Sequence, residues 1–105
     1  MLDLTKKFKL NEKIVLRKIE SKCWALNVEN GNQYRLNEVS YLILDSFRET
    51  ATVENVIEIV GKEYAVDKER LIADCCLMIQ TAVDKNILKQ SGNMSRTNLE
   101  KDLED

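Results

Sequence analysis

A chain of 105 residues with 44% hydrophobic content has room for one domain around a single modest core. Its 16 basic and 18 acidic residues give a formal net charge of −2, which argues against a chain whose main business is neutralising phosphates. Histidine and proline are both absent. The commonest general base and transition-metal ligand is thereby removed, and no strand edge is blunted by a missing N–H.

No stretch approaches the roughly 18–20 apolar residues of a membrane span. The opening run MLDLTKKFKLNEK has lysines but no apolar core of signal-peptide length. The expectation is a cytoplasmic protein without membrane contact. Cys23, Cys75 and Cys76 are odd in number, and adjacent cysteines do not readily bridge to each other, so reduced, buried thiols are expected.

Residues 1–13 mix apolar and polar positions without a clear period and are expected to form a flexible arm. Ile14–Glu20 is short and β-branched and reads as a strand, followed by strands over Cys23–Val28 and Asn32–Leu36. A two-residue Asn30-Gly31 turn would pair apolar with polar residues. A three-residue Glu29-Asn30-Gly31 loop pairs Val28 with Asn32, Leu26 with Tyr34 and Trp24 with Leu36. That register gathers Trp24, Leu26, Val28, Tyr34 and Leu36 on one face, and a buried face fixes register.

From Asn37 the apolar period lengthens to about 3.6 residues. Asn37 is the expected N-cap of a helix carrying Val39, Leu42, Ile43 and Phe47 inward and ending near Glu49. Thr52 caps a second helix with Val53, Val56, Ile57, Val60 and Tyr64 on one face. Asp67 caps a third, running to about Ile87. On this third helix the apolar residues from Leu71 to Val83 cover roughly 160° of circumference, wider than the stripe of about 100° that one core contact needs. Either the helix is almost engulfed, or one flank of the stripe faces something outside the chain. Residues 89–105 lose periodicity and gain charge, and are expected to be a disordered tail.

Candidate chemistry is sparse. Cys75-Cys76 lacks the spacer of zinc and thioredoxin-type sites and fits the helix stripe as two small hydrophobes. Glu54, Glu58, Glu63, Asp67 and Asp74 read as solvated helix faces, and Lys6, Lys7, Lys9 and Lys13 as a solvated or partner-contacting arm. Trp24 and Tyr34 read as core. No catalytic residue, metal or cofactor is expected. Asn32–Leu36 is different: an edge strand without proline, charged only at Arg35, beside a helix with surplus apolar width. Strand addition uses such an edge, with backbone hydrogen bonds for affinity and side-chain pockets for choice.

The runs WALNVENGNQYRLNEVSYLIL, TVENVIEIVGKEYAVD and LIADCCLMIQTAVDKNIL resemble the PqqD-like family, also described as the RiPP recognition element. The matching features are the turn with Gly31, Tyr34-x-Leu36-Asn37, the Thr52-Val53 helix start, Tyr64 with Val66-Asp67, and Asp74 in a long final helix. The resemblance covers roughly residues 14–88, taken as the domain. Arg48-Glu49 and Asn86 stand where such proteins often have glycine, and Ala82 where leucine is usual.

The resemblance implies an α+β, winged-helix-like fold, a three-stranded antiparallel sheet followed by three helices. It implies a non-catalytic chaperone that binds the leader of a ribosomally made precursor peptide as a fourth strand and presents it to a maturation enzyme, such as a radical-SAM protein or a leader peptidase. The peptide would lie along Asn32–Leu36, with Gln33, Tyr34, Arg35 and Leu36 forming the ladder. Leu71, Asp74, Cys75 and Met78 would form the helix wall, and Arg35 or Lys68 would pair acidic leader residues. The free protein would be a monomer or a homodimer paired through the same edges. The competing expectation is a winged-helix DNA-binding regulator, for which the third helix offers Lys68, Arg70 and Lys85 among four carboxylates.

Overall fold

Two three-stranded antiparallel sheets and three helices make up the computed structural model, which describes residues 3–91. Chain order is β1 (Lys7–Leu10), β2 (Ile14–Ile19), β3 (Lys22–Asn27), β4 (Gln33–Leu36), α1 (Glu38–Ser46), β5 (Ala51–Thr52), α2 (Val53–Glu63), α3 (Lys68–Asp84) and β6 (Leu88–Ser91). The three expected strands form the sheet β2-β3-β4, and the three expected helices follow, so the α+β reading holds.

The hairpin register differs from the expected one. Ala25 lies opposite Tyr34, and Cys23 opposite Leu36, so the loop has four residues, Val28 to Gly31. Asn27 closes it. Its N–H donates to the Asn32 carbonyl (2.8 Å), and its own carbonyl accepts from Gly31 N–H (2.8 Å). Its side-chain Oδ1 accepts from the N–H groups of Glu29 (2.8 Å) and Asn30 (3.2 Å). Gly31 has φ +81°, the left-handed region where a Cβ is strained. A buried polar side chain is tolerated here because it is hydrogen-bonded.

This shift turns the sheet over. Cys23 and Ala25, both fully buried, face the helices, with Tyr34 and Leu36 half-buried beside them. Trp24 and Leu26 point to the other face, and Val28 is exposed in the loop. Trp24 and Tyr34 therefore lie on opposite faces rather than together in the core. Bulk suggested that Trp24 should be inside. Close approach of α1 to the strands instead selects the two smallest side chains.

The arm is also more ordered than expected. Over Lys7–Leu10 it is a strand, paired on one side with β5 and on the other with β6, so the sheet order is β5-β1-β6. Phe8 is buried and meets Phe47 edge to face, ring centroids 6.2 Å apart. Residues 89–91, the first part of the expected tail, continue β6 from Leu88 and pair with β1. Residues 1–2 and 92–105, where the rest of the arm and tail expectations fall, lie outside the described residues.

The helix caps match. Asn37, Thr52 and Asp67 accept from the N–H groups of Ser40, Asn55 and Arg70. At the other end of α3, Asn86 has φ +62°, with its N–H on the Val83 carbonyl and that of Ile87 on the Ala82 carbonyl, the two bonds of a Schellman motif. Asn86 thus takes the left-handed position that glycine commonly fills at a helix end, and the chain turns into β6.

Because Ala25 faces α1 and Val28 faces water, Ala25→Leu should destabilise the protein by about 1–3 kcal/mol. Val28→Thr should cost less than about 0.5 kcal/mol. Urea denaturation of both variants checks the register, and the reverse ranking would restore the three-residue loop.

Candidate functional site

Antiparallel pairing alternates hydrogen-bonded and non-bonded residue pairs. The bond from Asn27 N–H to the Asn32 carbonyl makes that pair a bonded one, and Ala25–Tyr34 and Cys23–Leu36 follow at two-residue steps. Gln33 and Arg35 are thus left with N–H and carbonyl groups directed away from β3. No described strand pairs with that edge. Tyr34 and Leu36 spend their backbone groups on β3, and Asn32 does not join the open edge either: its carbonyl accepts from Asn27 N–H (2.8 Å), and its N–H donates to Asn30 Oδ1 (2.9 Å). The usable edge begins at Gln33.

Where β4 runs into α1, a cavity of about 390 Å³ opens between α1, the end of α2 and α3. Leu71, Asp74, Cys75 and Met78, the four residues expected to form the helix wall, all line it. They share one flank of α3 because 71, 74, 75 and 78 follow the helical repeat. Cys75 and Ala82, on the same side, are buried, and the flank beyond them, Ile79 and Cys76, is buried in the core. Gly61 of α2 allows this packing: a Cβ there would stand 3.2 Å from Leu71 Cδ2.

Two expected charges do not join the wall. Lys68 lies on the other side of α3 with Ile72, beside Glu54 and Glu58 of α2. The Arg35 guanidinium stacks over the Trp24 ring on the outer face of the sheet, 5.6 Å from its centroid. Lys85, whose Nζ lies 5.7 Å from the centroid of the Tyr34 ring, spans from the end of α3 to β4 but does not line the cavity. Asp74 is exposed, 3.8 Å from Arg70 one turn earlier, an ion pair that contributes little.

The sequence reading missed the third wall. Tyr64 and Val66, with Val39, Ser40, Ile43 and Val60, line the cavity from the α1 and α2 side. The available signal was Val66 itself, an apolar residue in a short connection, directly before the Asp67 cap.

The lining is mostly apolar and its thiol is inert. Burial pushes Cys75 up to about 11, with Cys76 and Asp74 adding in the same direction, and burial also raises Cys76. A protonated thiol is a small hydrophobe rather than a nucleophile. No group of three or more potential metal ligands comes together among the described residues, and no described helix is long and apolar enough to cross a membrane.

This arrangement has known counterparts. A structure of TbiB1 in complex with the TbiA(beta) leader peptide is similar to this chain with a TM-score of 0.69 at 20% identity, over 81% of this chain and 99% of that one. A structure of lasso peptide synthetase B1 complexed with the leader peptide is similar with a TM-score of 0.66 at 17% identity, over 78% and 96%. At such identities these matches show a shared fold. No curated protein matches the chain. The family model for coenzyme PQQ synthesis protein D (PqqD) matches residues 23–88, from the start of β3 to the start of β6 and across every wall of the cavity, and the chain belongs to the PqqD family.

Proposed function

We propose that this protein is a non-catalytic leader-peptide-binding module: it takes the leader of a ribosomally made precursor as a fourth strand beside β4 and presents it to a maturation enzyme. The observation that carries this is the open β4 edge at Gln33 and Arg35 leading into the apolar cavity walled by α3. An added strand would satisfy the outward N–H and carbonyl groups, while alternate side chains reach the groove. One apolar leader residue fits between Leu71, Cys75 and Met78, and Lys85 beside Tyr34 offers a partner for a leader carboxylate. The related folds were solved with leader peptides bound, which supports the same ligand class here.

A DNA-reading role gains nothing from α3. Arg70 faces Asp74, Glu69 sits in the first turn, and Lys85 is turned to Tyr34.

Titration of the labelled protein with leader peptides encoded beside it tests the proposal. Amide shifts should concentrate at Gln33–Leu36 and at Leu71, Asp74, Cys75 and Met78; saturation without shifts there would sink it. Arg35→Pro removes an edge N–H that β3 does not use and should weaken leader binding by more than about tenfold, while Arg35→Ala, which keeps the N–H, should stay within about threefold. Met78→Glu, which puts a charge on the apolar wall, should also lose more than about tenfold.

The pH response has a defined sign. Cys75 has an ordinary value of 9.0 and a folded value of about 11, so it stays neutral and leader affinity should be flat from about pH 6 to 9. Above that range the unfolded chain loses its proton first, so stability falls as pH rises from 9.0 towards about 11. Urea midpoints at pH 8 and 10.5 should show the fall, and Cys75→Ala should make it shallower.

A further inference from the structure

The outer face of β2-β3-β4 belongs to neither the core nor the peptide groove. Val15 and Ile19 are 40% and 55% exposed there, with half-buried Trp24 and Leu26 beside them. The three strands hold no carboxylate at all, in a chain whose net charge is −2. Their outward cations are Arg17, Lys22 and Arg35. Trp24 sits at the centre, paired across the strands with Arg17 on one side and Arg35 on the other. The Arg35 guanidinium stacks over its ring, and α1, the helix that packs on these strands, lies against the opposite face with Ala25.

Tryptophan and arginine around a common centre, ringed by aliphatic residues, is the composition of interface hot spots. Charge then selects the occupant. A second copy presenting the same face would bring cations against cations, and like charges across an interface are costly. The complementary surface is apolar at its centre and acidic around it.

We propose that this face is a second docking surface, for an acidic, apolar-centred patch on the enzyme that acts on the delivered peptide. The identity of the partner as that enzyme rests on the leader-binding reading above; the chemistry of the face does not. A leader strand beside β4 leaves the outward side chains of β2 and β3 free, so both partners bind at once.

The test uses the full chain and the modifying enzyme or leader peptidase encoded beside it, with leader at saturation. Trp24, the one tryptophan in the chain, reports directly: its emission should shift on adding enzyme, and iodide quenching should fall. Arg17→Glu with Lys22→Glu should weaken enzyme binding by at least about tenfold, and wild-type affinity should fall with added salt. Leader-induced shifts at Gln33–Leu36 should be unchanged in the same variant, which also shows that it folds; the milder R17Q/K22Q pair serves if it does not. Equal enzyme affinity for variant and wild type, or no enzyme binding, overturns the proposal. So does a Trp24 shift seen only on truncation after Ser91, which would give the face to the chain's own residues 92–105. A dimer dispersed by the Arg17 and Lys22 changes, or duplex DNA binding lost with them, overturns it equally. Loss of leader shifts in the wild type would instead remove the leader-binding reading and leave the docking face to be judged on Trp24 alone.

Discussion

The Asn27 side chain, folded over the β3–β4 turn, is the contact on which the rest of this protein depends. By accepting two loop N–H groups it fixes a four-residue hairpin, and a hairpin fixes which residue faces which. With that register Cys23 and Ala25 lie under the helices, and Tyr34 and Leu36, half-buried, pack on the same side. The same register sends Trp24 and Arg35 outward and leaves the N–H groups of Gln33 and Arg35 unused. A slip of one residue would exchange the faces of β4 relative to β3 and leave both the groove and the outer face with the wrong side chains.

α3 serves two purposes on one circumference, which explains its unusual apolar width. Cys76, Ile79 and Ala82 are core; Leu71 and Met78 are half-buried walls of the cavity, and Leu77 on its rim is 69% exposed. The helix is held by its ends. Asp67 caps its start, and the Asn86 turn sends the chain into β6, which pairs with β1. Asn11 adds to this anchor: its side chain donates to the Asn86 carbonyl (2.8 Å) and its N–H to that of Ile87 (2.9 Å). A wall fixed at both ends would keep its shape when the groove fills, so less ordering cost would fall on binding.

Helix starts were legible in the sequence because a cap is local: Asn37, Thr52 and Asp67 each act on an N–H three residues ahead. The α3 flank was legible for the same reason, since the helical repeat alone puts Leu71, Asp74, Cys75 and Met78 on one side. Non-local contacts were harder to read. The β1 strand has four residues, and its partners lie about forty and eighty positions away, which no local period reveals. The hairpin register failed on a subtler point. Side-chain bulk favoured Trp24 and Leu26 for the core, but a helix lying close on a sheet favours Ala25 and Cys23. A polar Asn27 facing inward looks wrong until its two hydrogen bonds are known.

The two faces of the sheet carry opposite chemistry, and that separation fits a module that brings two partners together. The groove side is apolar, with backbone groups open at an edge, which suits an extended peptide of varied sequence. The outer side is cationic around one tryptophan, which suits a folded acidic surface. Binding a leader in one and an enzyme on the other would convert an encounter between peptide and enzyme into an intramolecular event, with effective concentrations on the order of millimolar for a short flexible connection. Such a module needs no active site of its own. Its contribution to rate would come from geometry, and that geometry rests on the hairpin closed by Asn27.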